Sequence, residues 1–342
     1  MLKLFQPFVS KNAIKYLEET LYSGQIAEGP KVAEFEELFG ETFNKKNVVS
    51  VNSGTSALEL AYVMAGLKEG DEVITPVLTC TATNLPLVRM GVKIVWGDVN
   101  KNNLTLSVPD VLQKITEDTK AIIFVHFGGN NYGLKALRDI CKEKGIILIE
   151  DAAQAVGSDY WGVGDHTAVS LQAIKTITSG DGGVYLGKQY AKAKRLRWFG
   201  YNREEKQRLG DTDLLEAGYK WHMNDISACI GIANLEEWDK IKAHKDKINA
   251  IYKEAGMFAH PWMAGGFTDR YDELVEVAKE AGFEVGQHHY RNDKYSIFGG
   301  RWKLPNMDAI EGRYFFVPSH MGVTEEDARN IVKVCKPFLT RV

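Results

Sequence analysis

Hydrophobic positions along the chain change their period several times, and those changes outline an architecture. Ile14, Leu17 and Leu21 recur at helical spacing after Ser10, a suitable cap, and Gly24 ends the run. Pro30, favoured in a first helical turn, opens a second helix through Val32, Phe35 and Leu38. Short runs rich in β-branched residues follow at 48–51, 72–75, 93–96, 121–125 and 146–149, separated in several places by amphipathic stretches of helix length. Alternation of this kind implies a mostly parallel sheet covered on both faces, which places ligands at the carboxyl ends of its strands.

Past residue 187 the organisation changes. Residues 223–256 contain almost no Gly or Pro and read as one long helix, or a broken pair, leading out of the first domain. A smaller α+β unit follows, with a strand near 262–267, a helix around 271–281 and a last helix over 324–334. Thr324 caps that last helix, and Glu325, Glu326 and Asp327 stand at its positive end. The expected division is a large domain with the N-terminal helices over residues 1–235 and a small C-terminal α+β domain over 236–342.

Composition narrows the classes without naming a function. The 342 residues are 44% hydrophobic and 25% charged, ordinary values for a folded chain. A formal charge of -3 offers no broad footprint for nucleic acid or an anionic membrane. No uncharged apolar run reaches the roughly 18 residues of a membrane span, and the apolar stretch at the start is too short for a signal peptide. Cys80, Cys141, Cys229 and Cys335 are far apart and form no CxxC pair. Free thiols in a reducing cytoplasm are therefore expected, with no zinc knuckle and no other metal site.

Three strand-end segments carry candidate chemistry. Asn52-Ser53-Gly54-Thr55-Ser56-Ala57-Leu58 puts small residues at a strand-to-helix turn, where free backbone N–H groups suit a phosphate; a capped helix after a tight turn is the plainer reading. No Gly-Lys-Ser/Thr follows, and Gly162-Val163-Gly164 lacks the third glycine of a dinucleotide loop. Glu150-Asp151-Ala152-Ala153-Gln154-Ala155 ends a buried strand with two acids, costly without a cation or hydrogen bonds, unless Asp151 serves only as a helix cap. Lys175 lies between a strand-like run and Gly180-Asp181-Gly182-Gly183. A desolvated lysine there gains nucleophilicity; a surface lysine is the alternative. In this order the parts match what a pyridoxal phosphate enzyme needs: a phosphate loop, an acid for the pyridine nitrogen and a Schiff-base lysine.

With Met223-Asn224-Asp225-Ile226 added, these motifs resemble the DegT/DnrJ/EryC1/StrS family of nucleotide-sugar aminotransferases, from about Phe5 to the C-terminus. The resemblance implies the α/β fold of aspartate aminotransferase (fold type I), with a mostly parallel seven-stranded sheet in the large domain and a smaller C-terminal α+β domain. It implies pyridoxal 5'-phosphate as cofactor. Lys175 is then the catalytic Schiff-base lysine and Asp151 the partner of the ring nitrogen. Gln154 lies near the phenolic oxygen, and Gly54, Thr55, Ser56 and Ser170 hold the phosphate. Asn224 reaches the phosphate of a neighbouring subunit, so a homodimer with shared sites is expected. Relatives that deoxygenate sugars carry histidine at the lysine position, so Lys175 favours transamination. The implied substrates are L-glutamate and a nucleotide-linked keto-sugar. A lyase or dehydratase of the same fold, and a silent sugar-nucleotide-binding regulatory homologue, are the alternatives.

Some positions depart from the pattern. Cys80 stands where an aromatic often stacks on the cofactor ring and would contact it less extensively. Segments 159–166 and 250–262 look contracted. In 286–293, His289 and Arg291 are substrate-side candidates, Arg291 as a bidentate partner for a diphosphate; for His288 and His289 the alternative is a loop residue with satisfied hydrogen bonds, the better reading for at least one of them. Lys192, Lys194, Arg195 and Arg197 are expected on one solvated helix face, 198–201 in packing, and 240–247 on an exposed helix of mixed charge.

Overall fold

The computed structural model describes residues 1–341. In chain order its strands are β1 (Val48–Val51), β2 (Glu72–Pro76), β3 (Leu78–Thr79), β4 (Lys93–Gly97), β5 (Thr119–Val125), β6 (Ile147–Asp151), β7 (His166–Ser170), β8 (Gly183–Gly187), β9 (Phe258–Ala259), β10 (Ala264–Phe267), β11 (Tyr290–Arg291) and β12 (Tyr314–Val317). The helices are α1 (Ala13–Tyr22), α2 (Pro30–Phe43), α3 (Gly54–Met64), α4 (Thr81–Arg89), α5 (Val108–Lys114), α6 (Leu134–Lys144), α7 (Tyr190–Leu196), α8 (Arg203–Leu209), α9 (Asp225–Leu235), α10 (Trp238–Glu254), α11 (Tyr271–Glu280), α12 (Pro305–Ile310) and α13 (Glu325–Cys335).

The main sheet has seven strands in the order β1-β8-β7-β6-β5-β2-β4. Only β8 runs against its neighbours β1 and β7; the other pairings are parallel. All five β-branched runs of the sequence are strands in it. Their apolar side chains are buried on both faces, as in Ala121 to Val125, which explains why they read as continuous rather than alternating. The remaining two strands, β7 and β8, carry His, Thr, Ser and Gly and gave no such run.

The long stretch 223–256 is a broken pair, α9 and α10, interrupted at Glu236 and Glu237. A second sheet, β12-β10-β9, packs with α10, α11 and α13 around Ile248, Tyr252, Leu274, Phe315 and Ile331. Trp262, Met263 and Phe316 of this region share an apolar cluster with Trp96 of the main sheet and with Val77 and Leu78 beside it. The short pair β11-β3 sets Tyr290 opposite Thr79, which brings 288–293 over the strand end that precedes Cys80. Thr324 and Asp327 form the capping box of α13.

Three sequence expectations are corrected here. Ser10 does not cap α1 with its side chain; its hydroxyl donates to Glu237 at 2.6 Å. The helix itself is present as expected, with Ile14 71% and Leu21 52% exposed and Ala13 and Thr20 buried. Charge periodicity also misplaced two cations. Arg197 is buried between Glu36 and Glu28 and not on a solvated face, and Lys245 is buried within an otherwise charged, exposed helix. Among the described residues, no helix is long and apolar enough to cross a membrane.

Candidate active site

Asp151 ends β6 and is buried. Its Oδ2 accepts from Thr83 Oγ1 at 2.7 Å, and its Oδ1 from the Ala153 N–H at 3.1 Å. Burial pushes its carboxyl above the ordinary range; those two bonds and the charges of Lys175 and His126 oppose the rise. A carboxylate in this state has two neutral donors and gains from a further cation.

The turn after β1 forms the second wall. Ser53 caps α3, its Oγ accepting from the Ser56 N–H at 3.0 Å. Gly54 and Thr55 therefore lead the helix, where backbone N–H groups face away from any intrahelical acceptor. Gly54 is required by contact: a Cβ there would lie 2.6 Å from the Ser170 Cβ. The two polar loops at the ends of β1 and β7 thus meet side by side, with Ser170 against the first turn of α3. Ser56 Oγ is turned to Asn52 Oδ1 at 2.7 Å. The site fits a phosphate at a helix N-terminus.

Lys175 lies in the loop after β7. Its ammonium sits 3.7 Å from the centre of the Trp262 ring. Burial lowers the Lys175 pKa to about 8, opposed by Asp151 and Cys80. The amine is thereby a better nucleophile near neutral pH than a solvated lysine.

Gln154 joins these parts. Its Oε1 accepts from the Gly128 N–H at 2.6 Å, and its Nε2 is 3.3 Å from His289 Nε2. Because the amide nitrogen donates, His289 Nε2 accepts and carries its proton on Nδ1. Burial, with His288 and Lys175 nearby, keeps His289 neutral. His289 also holds φ at 65°, a strained value for a residue with a side chain. Gly129 permits the close approach behind Gln154: a Cβ would lie 2.8 Å from the Gln154 carbonyl oxygen, and its φ is 100°.

Glu150 points the other way and is not a ligand group. It bonds His126 Nε2 at 2.7 Å and accepts N–H bonds from Gly162, Val163 and Gly164. Burial raises its pKa, but His126 and these backbone donors outweigh it and hold Glu150 below its ordinary value. The sequence signalled that one acid needed a partner but did not identify His126. It also missed Thr83, one of several threonines in 79–83, and Trp262, which had no motif of its own.

The structure thus gathers Gly54, Thr55, Ser56, Ser170, Lys175, Asp151, Gln154, Cys80 and His289 at one end of the sheet. Cys80 is half-buried just before α4. Asn224 is exposed and caps α9 through a 2.8 Å bond from the Ser227 N–H. Just before it, the Trp221 carbonyl accepts from the Asn52 N–H at 2.6 Å, so this segment runs beside the loop that carries Gly54. Arg291 is corrected. It is 1% exposed, and its guanidinium is spent on Asp293, Asp308, Glu311 and the Trp302 carbonyl. Its Nε and both Nη groups are occupied, so no fork is left for a diphosphate.

Comparison with known proteins identifies the family. The sequence pattern of the DegT/DnrJ/EryC1/StrS aminotransferase family matches residues 7–336. The chain is 34% identical to the GDP-perosamine synthase of Vibrio cholerae, over 94% of this chain and 86% of that protein. It is 32% identical to the spore coat polysaccharide biosynthesis protein SpsC of Bacillus subtilis, over 73% of this chain and 67% of that protein. The crystal structure of the sugar aminotransferase CalS13 from Micromonospora echinospora superposes with a TM-score of 0.92 at 30% identity, covering 98% of this chain and all of that one.

Proposed function

The chain belongs to the DegT/DnrJ/EryC1/StrS aminotransferase family and is a pyridoxal phosphate-dependent aminotransferase acting on nucleotide-linked sugars; we propose that it takes its nitrogen from L-glutamate and delivers it to the keto group of a deoxy sugar. The observation that carries the reading is that a buried Asp151 with only neutral hydrogen-bond donors and a buried Lys175 lie near one another at the strand ends.

The residues present fit the cofactor. The N-terminus of α3, with Gly54, Thr55 and Ser56, would take the phosphate together with Ser170. Asp151 would meet the protonated ring nitrogen, the cation its burial lacks. Gln154 keeps a second amide N–H for the phenolic oxygen. When bound, the cofactor supplies an aldehyde and an electron-withdrawing ring. Lys175 Nζ would accept the proton released at the nitrogen-bearing carbon and return it two bonds away, on the far side of the nitrogen. His289, neutral and proton-bearing on Nδ1, lies on the substrate side. Cys80 presents a smaller face to the ring than an aromatic would.

The acting unit in this reading is a homodimer with shared sites. Ile14, Leu21 and Tyr22 expose an apolar stripe on α1, and Tyr22 is 86% exposed. An open cleft of about 770 Å³ follows directly, between 24–29 and the segment carrying Arg197, Trp198 and Tyr201. Stripe and cleft suit a second copy of the chain, and exposed Asn224 would then serve the partner's phosphate. Free thiols at Cys80, Cys141, Cys229 and Cys335 accord with a cytoplasmic setting. The product is an amino sugar for a surface polysaccharide or a glycosylated metabolite.

The test is a screen of nucleotide-linked keto-sugars with glutamate, read by 2-oxoglutarate release and the mass of the amino sugar. Glutamate consumption coupled to one such sugar supports the reading. Water elimination without nitrogen transfer supports the lyase alternative and overturns it.

A further inference from the structure

Trp262 belongs to none of the cofactor motifs, yet it is fixed from several sides. Its backbone N–H donates to the Gly128 carbonyl at 3.0 Å, and Gly128 is the residue that binds Gln154. Its indole Nε1 donates to the Ile174 carbonyl at 2.9 Å, one residue before the lysine. Its own carbonyl receives Ser319 Oγ at 3.3 Å and the Lys245 ammonium at 3.4 Å. Phe5 stacks on the ring with centroids 5.3 Å apart. The indole therefore keeps a set position relative to the backbone that carries Lys175.

The Lys175 ammonium occupies this ring. A lysine that alternates between bonded and free must have somewhere to go when free. Asp151, the charged group that favours its cation, is engaged elsewhere once a ring nitrogen arrives. Cys80, His288 and His289 also face the amine, and burial keeps both histidines neutral, so they add no cation of their own. The aromatic face attracts an ammonium without competing for Asp151, and more strongly away from water.

We propose that the face of Trp262 is the docking place of the Lys175 ammonium whenever Lys175 is not bonded to the cofactor, which makes Trp262 a positioning residue for the lysine during nitrogen transfer. This rests on the reading of Lys175 as the covalent lysine. The ring holds the charged amine close to its working position and prevents it from pairing with Asp151.

The test uses the full-length protein freed of cofactor and traces of acetic anhydride across a pH series. Acetylation of Lys175 is quantified by mass spectrometry against exposed Lys101 as an internal standard. The wild type is expected to titrate near pH 8. Trp262→Phe, which keeps an aromatic face, should stay within about half a unit of it, and Trp262→Leu should titrate lower by about one unit, because the charged form has lost its support. A folded Trp262→Leu protein with an unchanged or raised midpoint overturns the proposal. Should Trp262→Leu not fold, tryptophan emission decides: the wild-type signal should titrate with the Lys175 midpoint, and both Trp262→Phe and Lys175→Met should abolish that titration. A signal that persists in Lys175→Met overturns the proposal. Neither readout involves the cofactor, so failure here is separable from failure of the aminotransferase reading.

Discussion

Thr83 holds Asp151 through a 2.7 Å hydrogen bond from Oγ1 to Oδ2, and Thr83 Oγ1 is itself 2.8 Å from Thr79 Oγ1. The hydroxyl relay supports the charged form of the carboxylate against the burial that opposes it. Burial raises the Asp151 pKa, so the folded chain binds this proton more tightly than the unfolded chain. The contribution to stability is present below the ordinary carboxyl pKa of 3.8 and is lost as pH rises through the folded value. Above the folded value the charged carboxylate costs the fold stability. Asp151→Asn fits the relay with its direction reversed: Nδ2 donates to Thr83 Oγ1, Thr83 donates to Thr79, and Oδ1 accepts from Ala153. The cofactor-free variant is expected to melt about 1–2 °C higher, about 1 kcal/mol, while transamination falls by at least about a hundredfold. Calorimetry and a glutamate half-reaction assay check the two halves; a lower Tm with retained activity would remove Asp151 from its role.

Lys245 makes a second pH-dependent claim. It is buried with only the Ser319 carbonyl and hydroxyl and the Trp262 carbonyl as partners. Burial lowers its pKa from 10.5 to about 7. Between those values the unfolded chain carries the proton and the folded chain does not, so stability rises with pH across that window. The penalty is complete below about pH 7 and gone above 10.5. Lys245→Met should therefore flatten the stability-versus-pH curve between pH 7 and 10 by about 1.4 kcal/mol per unit, whatever its effect at a single pH. Urea melts at several pH values measure this. Parallel curves would mean that the ammonium is solvated.

Arg291 should behave as a fold residue. Removing it strands Asp293, which is 0% exposed. Arg291→Ala is expected to cost about 3–5 kcal/mol of stability, with KM for the sugar nucleotide nearly unchanged in whatever protein remains folded at low temperature. Wild-type stability with a KM raised more than tenfold would restore the diphosphate role.

The dimer is checked by complementation. Asn224→Ser keeps a cap on α9 but shortens the reach of the side chain. Mixed and reassorted with Lys175→Ala, it should regain about one quarter of wild-type activity, since random pairing makes half the dimers hybrid with one intact site each. No recovery from well-mixed hybrids would confine Asn224 to its own subunit.

Much of the site was legible in the sequence because its parts sit at strand ends in a fixed order. Gly54, Asp151 and Lys175 fall at the ends of β1, β6 and β7, where a parallel sheet directs its ligands. What escaped was decided by partners far along the chain. Arg197 meets Glu28 and Glu36, some 160 residues away, and local charge periodicity cannot register that. Lys245 is satisfied by backbone carbonyls, which leave no side-chain signature. Trp262 reaches Lys175 across 87 positions through the packing of the smaller sheet on the larger. The α1 stripe was recognised as apolar, but its period does not say whose core it enters.

The most direct measurement is the visible spectrum of the purified protein loaded with pyridoxal phosphate. A Schiff base on Lys175 should colour the protein yellow, glutamate should discharge that band as nitrogen passes to the cofactor, and a nucleotide-linked keto-sugar should restore it. Lys175→Ala should show none of these changes. A wild-type protein that takes up no cofactor, or a band that survives in Lys175→Ala, would contradict the assignment of Lys175 and Asp151 as the working pair.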